Sequence, residues 1–117
     1  MIQSHMMYNY ENEVKVVGSV YLNNMTPALH IQDEGGMPIA TATRNLDGVT
    51  FDGEYNTLIK DQDENQGVLR TLLLGGIVEL TGQMIESDDL RSRWFEVTII
   101  DPDVIKQIDE AHERAEA

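Results

Sequence analysis

The sequence predicts an α+β domain built from an antiparallel sheet in meander order, one internal helix and a C-terminal helix. Three observations carry that prediction. Apolar and polar residues alternate from Glu13, again from Leu29 and again from Trp94, which is the period of a half-buried strand. Val68, Leu69, Leu72 and Leu73 recur at helical spacing, as do Val104, Ile105, Ile108, Ala111 and Ala115. Turn residues, chiefly glycine with aspartate or asparagine, separate these segments. A chain of 117 residues has room for one such core and no second.

Taken in order, Met1 to Met6, ending Ser4-His5-Met6, read as a cloning remnant ahead of a native start at Met6 or Met7. They are expected to lie outside the fold and outside any site, leaving residues 7–117 as the domain. Val14, Val16, Val20 and Leu22 form one face of a first strand, with Val17 and Tyr21 on the other. Asn23 to Pro27 break it. Leu29 and Ile31 then alternate with His30 and Gln32, and the turn Asp33-Glu34-Gly35-Gly36 leads into a single β run from Pro38 to Leu46, completing a hairpin. Asp47-Gly48 and Asp52-Gly53 punctuate the next segment, and Tyr55 to Lys60 supplies another strand.

Asp63 is the expected N-cap of the internal helix, because Gln66 three residues on completes a capping-box pattern, and Gly75-Gly76 ends it. Ile77, Val78 and Leu80 re-enter the core as a short strand near Gly82, Glu86 to Arg93 form a charged loop, and Trp94 to Ile100 make the last strand with Phe95, Val97 and Ile99 on one face. Asp101-Pro102 opens the final helix, since aspartate caps it and proline fits the first helical position.

Composition bears on partners more than on fold. With 21 Asp and Glu against 8 Lys and Arg, the formal charge is −13. Six acids and two bases from Asp101 onward account for −4, so −9 belongs to the body of the domain. Binding to nucleic acid is driven by clustered cations that release counterions, and the cations here are scattered, so direct DNA or RNA binding is not expected. There is no cysteine, which excludes disulfides, thiol chemistry and Cys-ligated metals. The longest apolar run, Leu72 to Val78, is far short of the roughly 20 residues of a membrane span, and no leader precedes the domain, so a cytoplasmic protein is expected.

Candidate chemistry thins out under inspection. Asp61-Gln62-Asp63-Glu64-Asn65 opens like a calcium loop, but such a loop needs glycine at position 6 and a bidentate acid at position 12. Gln66 and Leu72 stand there instead, and helix capping accounts for the same acids. His30 and His112 lack the paired spacing of a zinc site. Ser19, Ser87 and Ser92 lack a nucleophile elbow, and the glycines form no phosphate-binding pattern. Neither a cofactor nor a metal is required by any motif, and an enzyme is not the expected reading. Arg91-Ser92-Arg93-Trp94-Phe95 is the one place where cations and aromatics meet, offset by Glu86, Asp88 and Asp89 just before it.

Three segments carry a resemblance. Gly36-Met37-Pro38-Ile39-Ala40-Thr41-Ala42-Thr43-Arg44-Asn45-Leu46, Ile59-Lys60-Asp61-Gln62-Asp63-Glu64-Asn65-Gln66-Gly67-Val68-Leu69 and Gly76-Ile77-Val78-Glu79-Leu80-Thr81-Gly82 resemble a widespread group of small phage and mobile-element proteins. Some similar proteins are anti-CRISPR or other anti-defence factors. The resemblance spans Val14 to Gly82 and implies, by association, a phage-encoded inhibitor in the host cytoplasm. The Glu86 to Arg93 loop and the acidic last helix depart from the group.

The leading expectation is therefore a non-enzymatic inhibitor whose acids imitate nucleic acid and occupy the basic channel of a bacterial defence protein, a CRISPR effector or another nuclease. Candidate contacts are Glu86, Asp88 and Asp89 in the loop and Asp109, Glu110, Glu113 and Glu116 on the last helix, with Asp61, Asp63 and Glu64 second. An alternative is a protein that sequesters a cyclic or signalling nucleotide, with Arg44, Arg91, Arg93, Trp94 and Tyr55 lining its pocket. A third is a structural or regulatory phage accessory whose acidity maintains solubility. The apolar stripe on the last helix and an unpaired sheet edge leave both a monomer and a homodimer open.

Overall fold

The computed structural model describes residues 1–8 and 12–116. The α+β expectation holds, with two antiparallel sheets in place of one meander. The first contains β1 (Ile2–Gln3), β2 (Glu13–Val20), β3 (Pro27–Gln32) and β4 (Pro38–Thr41) in that spatial order. The second contains β5 (Thr43–Arg44), β6 (Asn56–Lys60), β7 (Val78–Glu86) and β8 (Arg93–Ile99), with β8 lying between β6 and β7. Helix α1 (Val68–Leu74) precedes β7, and helix α2 (Pro102–Glu116) follows β8.

The division into two sheets happens within the run expected to be one strand from Pro38 to Leu46. The Ala42 amide donates to the Leu29 carbonyl in the first sheet, while its own carbonyl accepts from the Lys60 amide in the second, both at 2.9 Å. Ala42 and Thr43 are consecutive and both buried, which a continuous half-exposed strand does not permit. The chain thus changes sheets at a residue small enough to be enclosed on all sides.

Both sheets turn one face to a common core. Val14, Leu29 and Ile31 come from the first, Ile59, Val97 and Ile99 from the second, Val68 and Leu72 from α1, and Val104 and Ile108 from α2. The N-terminal residues, expected to stand outside the fold, belong to it. Ile2 and Gln3 pair with Val14 and Glu13, the His5 amide donates to Thr71 Oγ1 at 2.8 Å, and Met6 is only 7% exposed. A Cβ on Gly67 would collide with the His5 carbonyl, so the glycine before α1 is also the seat of this segment.

Other boundaries also differ from the sequence reading. Asp63 does not cap α1: it begins a short 3₁₀ turn, Asp63–Asn65, with φ of 54°. The cap comes from Asp61, whose Oδ1 accepts from the amides of Gly67 and Leu69 at 2.9 and 3.0 Å. Gly67, at φ 97°, makes the left-handed step that lets an aspartate six residues upstream reach back over the helix start. The strand expected to end near Gly82 instead runs to Glu86. It does so through a bulge between Leu80 and Met84, where Gly82 has φ 93°. Glu86 and Arg93 consequently belong to strands, and the connecting loop shrinks to Ser87–Ser92. Leu22, expected on the apolar face of β2, lies past its end and is exposed.

Candidate functional site

Helix α2 carries the densest display of the expected acids. Its start is local chemistry: Asp101 Oδ2 accepts from the Val104 amide at 3.0 Å, and Pro102 occupies the first helical position. Val104, Ile108 and Ala111 are buried, whereas Ala115, expected to continue the stripe, is exposed. The stripe lies on β2, and its approach is set by Gly18. A Cβ there would stand 2.9 Å from both Ile108 Cγ1 and the Val104 carbonyl oxygen. The Gly18 amide also donates to Gln107 Oε1 at 2.7 Å, fixing the helix along its flank.

The opposite face of α2 is solvent-exposed and acidic. At about 100° per residue, Asp109, Glu113 and Glu116 form one row and Asp103 and Glu110 a second, with Lys106 between them. All five acids are exposed. Along the axis the rise puts Glu113 about 6 Å beyond Asp109 and Glu116 about 10 Å beyond it. Successive charges on one strand of duplex DNA advance about 3.4 Å along the duplex axis, so in axial projection the step from Asp109 to Glu113 is close to an advance of two phosphates. Asp103 was not among the expected contacts, although its seven-residue spacing to Glu110 is visible in the sequence.

Asp109 has a second role. Its Oδ1 accepts from the Tyr55 hydroxyl at 2.7 Å, tying α2 to the start of β6. That bond, with partial desolvation and the nearby charges of Asp109 and Glu54, pushes the Tyr55 hydroxyl up to about 12. Tyr55 is therefore a strut for the helix.

The remaining expected acids lie elsewhere and are largely engaged. Glu86 is 3.8 Å from Arg93 across the β7–β8 hairpin. In its loop, Asp89 accepts from Ser87 Oγ at 2.6 Å and from the Arg91 amide at 3.0 Å, and these bonds hold its carboxyl below the usual range. Asp88 is exposed. Glu64 is held low by a backbone hydrogen bond and by Lys60 at 3.1 Å, Asp61 caps α1, and Asp63 is exposed on the 3₁₀ turn. Gln62 joins this corner to the hairpin loop by donating to Ser92 Oγ and accepting from the Arg93 amide, each at 3.0 Å. The loop and the start of α2 stand at opposite ends of β8, whose seven residues span about 20 Å. The ten expected acids thus form two sets, one on α2 and one around the loop and the Asp61–Glu64 corner.

The five cationic and aromatic candidates do not share one pocket. Arg91 and Arg93 stand on the hairpin beside Asp89 and Glu86, and Trp94 pairs in register with Lys60. Arg44 alone of the five lines a cleft of about 520 Å³ at the point where the chain changes sheets. Lys60 and Tyr21, absent from the expected set, line it too. His30 hydrogen-bonds Ser19 at 3.0 Å, while His112 Nε2 is buried without a partner among the described residues. Among those residues no cluster of three or more metal-ligating side chains is present, and no helix is long and apolar enough to cross a membrane. In comparisons with known proteins, no family model, curated protein or solved structure matches the chain.

Proposed function

We propose that the protein is a non-enzymatic inhibitor whose α2 face docks in the basic nucleic-acid channel of a bacterial defence protein, such as a CRISPR effector or another nuclease. The observation that carries this reading is the exposed double row of acids on α2, on a helix seated against β2 by Gly18 and Gln107 and held by Tyr55 through Asp109 of the first row. Charges on a helix anchored at both flanks are already arranged before a partner arrives. Less ordering entropy is then spent at the interface than a flexible acidic tail would require. The assignment of the target to bacterial defence rests on the resemblance of the β4 to β7 segments to phage proteins.

Such a complex associates rapidly at low ionic strength and weakens as salt is added, because steering between opposite charges is screened within about a Debye length. The loop acids are secondary in this reading, since Glu86 and Asp89 are occupied by their own hairpin. The test is restriction of phage or plasmid in a host carrying a nuclease-based defence system. Expression of the protein should relieve restriction, and Asp103→Asn, Glu110→Gln, Glu113→Gln and Glu116→Gln together should restore it. This variant spares Asp109 so that the Tyr55 bond survives. Relief that persists undiminished in the neutralised variant would remove α2 from the mechanism.

A further inference from the structure

We infer that the cleft at the sheet change is a binding site for a phosphate monoester of mononucleotide size. It is independent of the acidic helix. In a chain with only eight Lys and Arg, two of them, Arg44 and Lys60, line this one cleft. They are distant in sequence and are brought together by the pairing of β5 with β6, in which Arg44 stands opposite Leu58, two residues before Lys60. Against a net charge of −13, two cations at one cavity mark the place where an anion meets local attraction.

The two cations are available to different degrees. Arg44 is exposed and has no carboxylate within ion-pair distance among the described residues, so its planar fork is free for bidentate contact with phosphate oxygens. Lys60 is held by Glu64 at 3.1 Å, with the lysine side chain 28% exposed and the glutamate 71% exposed. An ion pair open to water on the glutamate side contributes little, and a phosphate dianion competes with that carboxylate for the ammonium.

The walls are fixed by bonds that no ligand has to form. The Tyr21 hydroxyl is 2.8 Å from Thr43 Oγ1 and donates to the Thr43 carbonyl, which locks the ring at the cleft. Asn65, buried, donates to the Thr41 carbonyl at 2.8 Å and holds the 3₁₀ turn against β4. Tyr21 and Ile39 contribute apolar surface to the lining. The volume of about 520 Å³ is within the range of small-molecule pockets, about 300–1,000 Å³, and exceeds what inorganic phosphate alone would fill. A phosphoryl group on Arg44 and Lys60 with a planar ring beside Tyr21 uses both the cationic and the apolar lining residues.

The test is calorimetric titration of the full chain with adenosine 5′-monophosphate, with adenosine as the uncharged control, and amide chemical shifts followed by NMR. The site predicts saturable binding of the nucleotide, weakened by salt, with shifts concentrated at Thr41, Arg44, Lys60 and Asn65 and little response to adenosine. Arg44→Gln should weaken binding at least about tenfold, the loss expected for a hydrogen bond to a charged group. Lys60→Gln should also weaken it, and unchanged circular dichroism confirms that each variant is folded. Absence of heat and of shifts at millimolar nucleotide would overturn the inference. So would unchanged affinity in folded Arg44→Gln, or shifts confined to other surfaces.

Discussion

Replacing Gly18 by alanine adds one methyl group at the contact that seats α2. The new Cβ would lie 2.9 Å from Ile108 Cγ1, 2.9 Å from the Val104 carbonyl oxygen and 3.0 Å from Val104 Cγ1. A side chain can turn away; the helix backbone carrying that oxygen cannot move without lifting Val104 and Ile108 out of the core. Overpacking of this kind costs about 1–3 kcal/mol, and the reduced freedom of the unfolded chain returns about 0.4–1 kcal/mol. The expected net loss is about 1–2 kcal/mol. For a domain of this size that lowers Tm by roughly 4–8 °C. Thermal melts followed by far-ultraviolet circular dichroism and urea titrations with an unchanged m-value measure it. The penalty should shrink in an Ile108→Ala background, because that substitution removes one of the colliding atoms and the two sites are coupled. A Gly18→Ala protein as stable as the parent, or strict additivity with Ile108→Ala, would refute the close approach of α2 to β2.

Three further outcomes rest on named contacts. Met6→Ala should destabilise the domain by about 2 kcal/mol or more, as a buried methionine truncation does, and an unchanged urea midpoint would return the N-terminal residues to the status of a dispensable remnant. Asp61→Ala should cost about 1 kcal/mol through loss of the cap on α1, whereas Asp63→Ala should have little effect; the reverse order in denaturant titrations would reassign the cap. With the Tyr55 hydroxyl raised from 10.0 to about 12, the unfolded chain loses that proton first, so the stabilisation is complete below pH 10 and is lost as pH rises from 10 to 12. Tyr55→Phe should remove that part of the alkaline decline, and an identical pH profile for the two proteins would contradict the Asp109 bond.

What the sequence revealed depended on how local the determining interactions are. The start of α2 was legible because Asp101, Pro102 and the Val104–Ile108–Ala111 stripe lie within one short window. The change of sheets at Ala42 was not, because it is set by Leu29 and Lys60, neither of which is near it in sequence. The cap of α1 shows the intermediate case. The capping-box pattern fits Asp63, but the left-handed Gly67 and the anchoring of Asn65 to Thr41 shift the helix start and give the role to Asp61. Alternation placed β8 to within one residue at each end and cut β7 short, since a bulge at a positive-φ glycine interrupts the period. Among the functional candidates, the acids of α2 were readable from helical spacing. The partnership of Arg44 with Lys60, and of Tyr55 with Asp109, needed the folded chain.

The central claim is that the outer face of α2 substitutes for nucleic acid. Its most direct measurement is displacement of fluorescent duplex DNA from a purified CRISPR effector nuclease, chosen as one whose restriction is relieved when the protein is expressed, at low and at physiological salt. Mimicry by α2 predicts displacement by the parent protein that weakens as salt rises, and its loss when Asp103, Glu110, Glu113 and Glu116 are replaced by Asn and Gln with the melting profile retained. Equal displacement by the folded, neutralised variant, or inhibition in cells without any displacement of DNA, would contradict it.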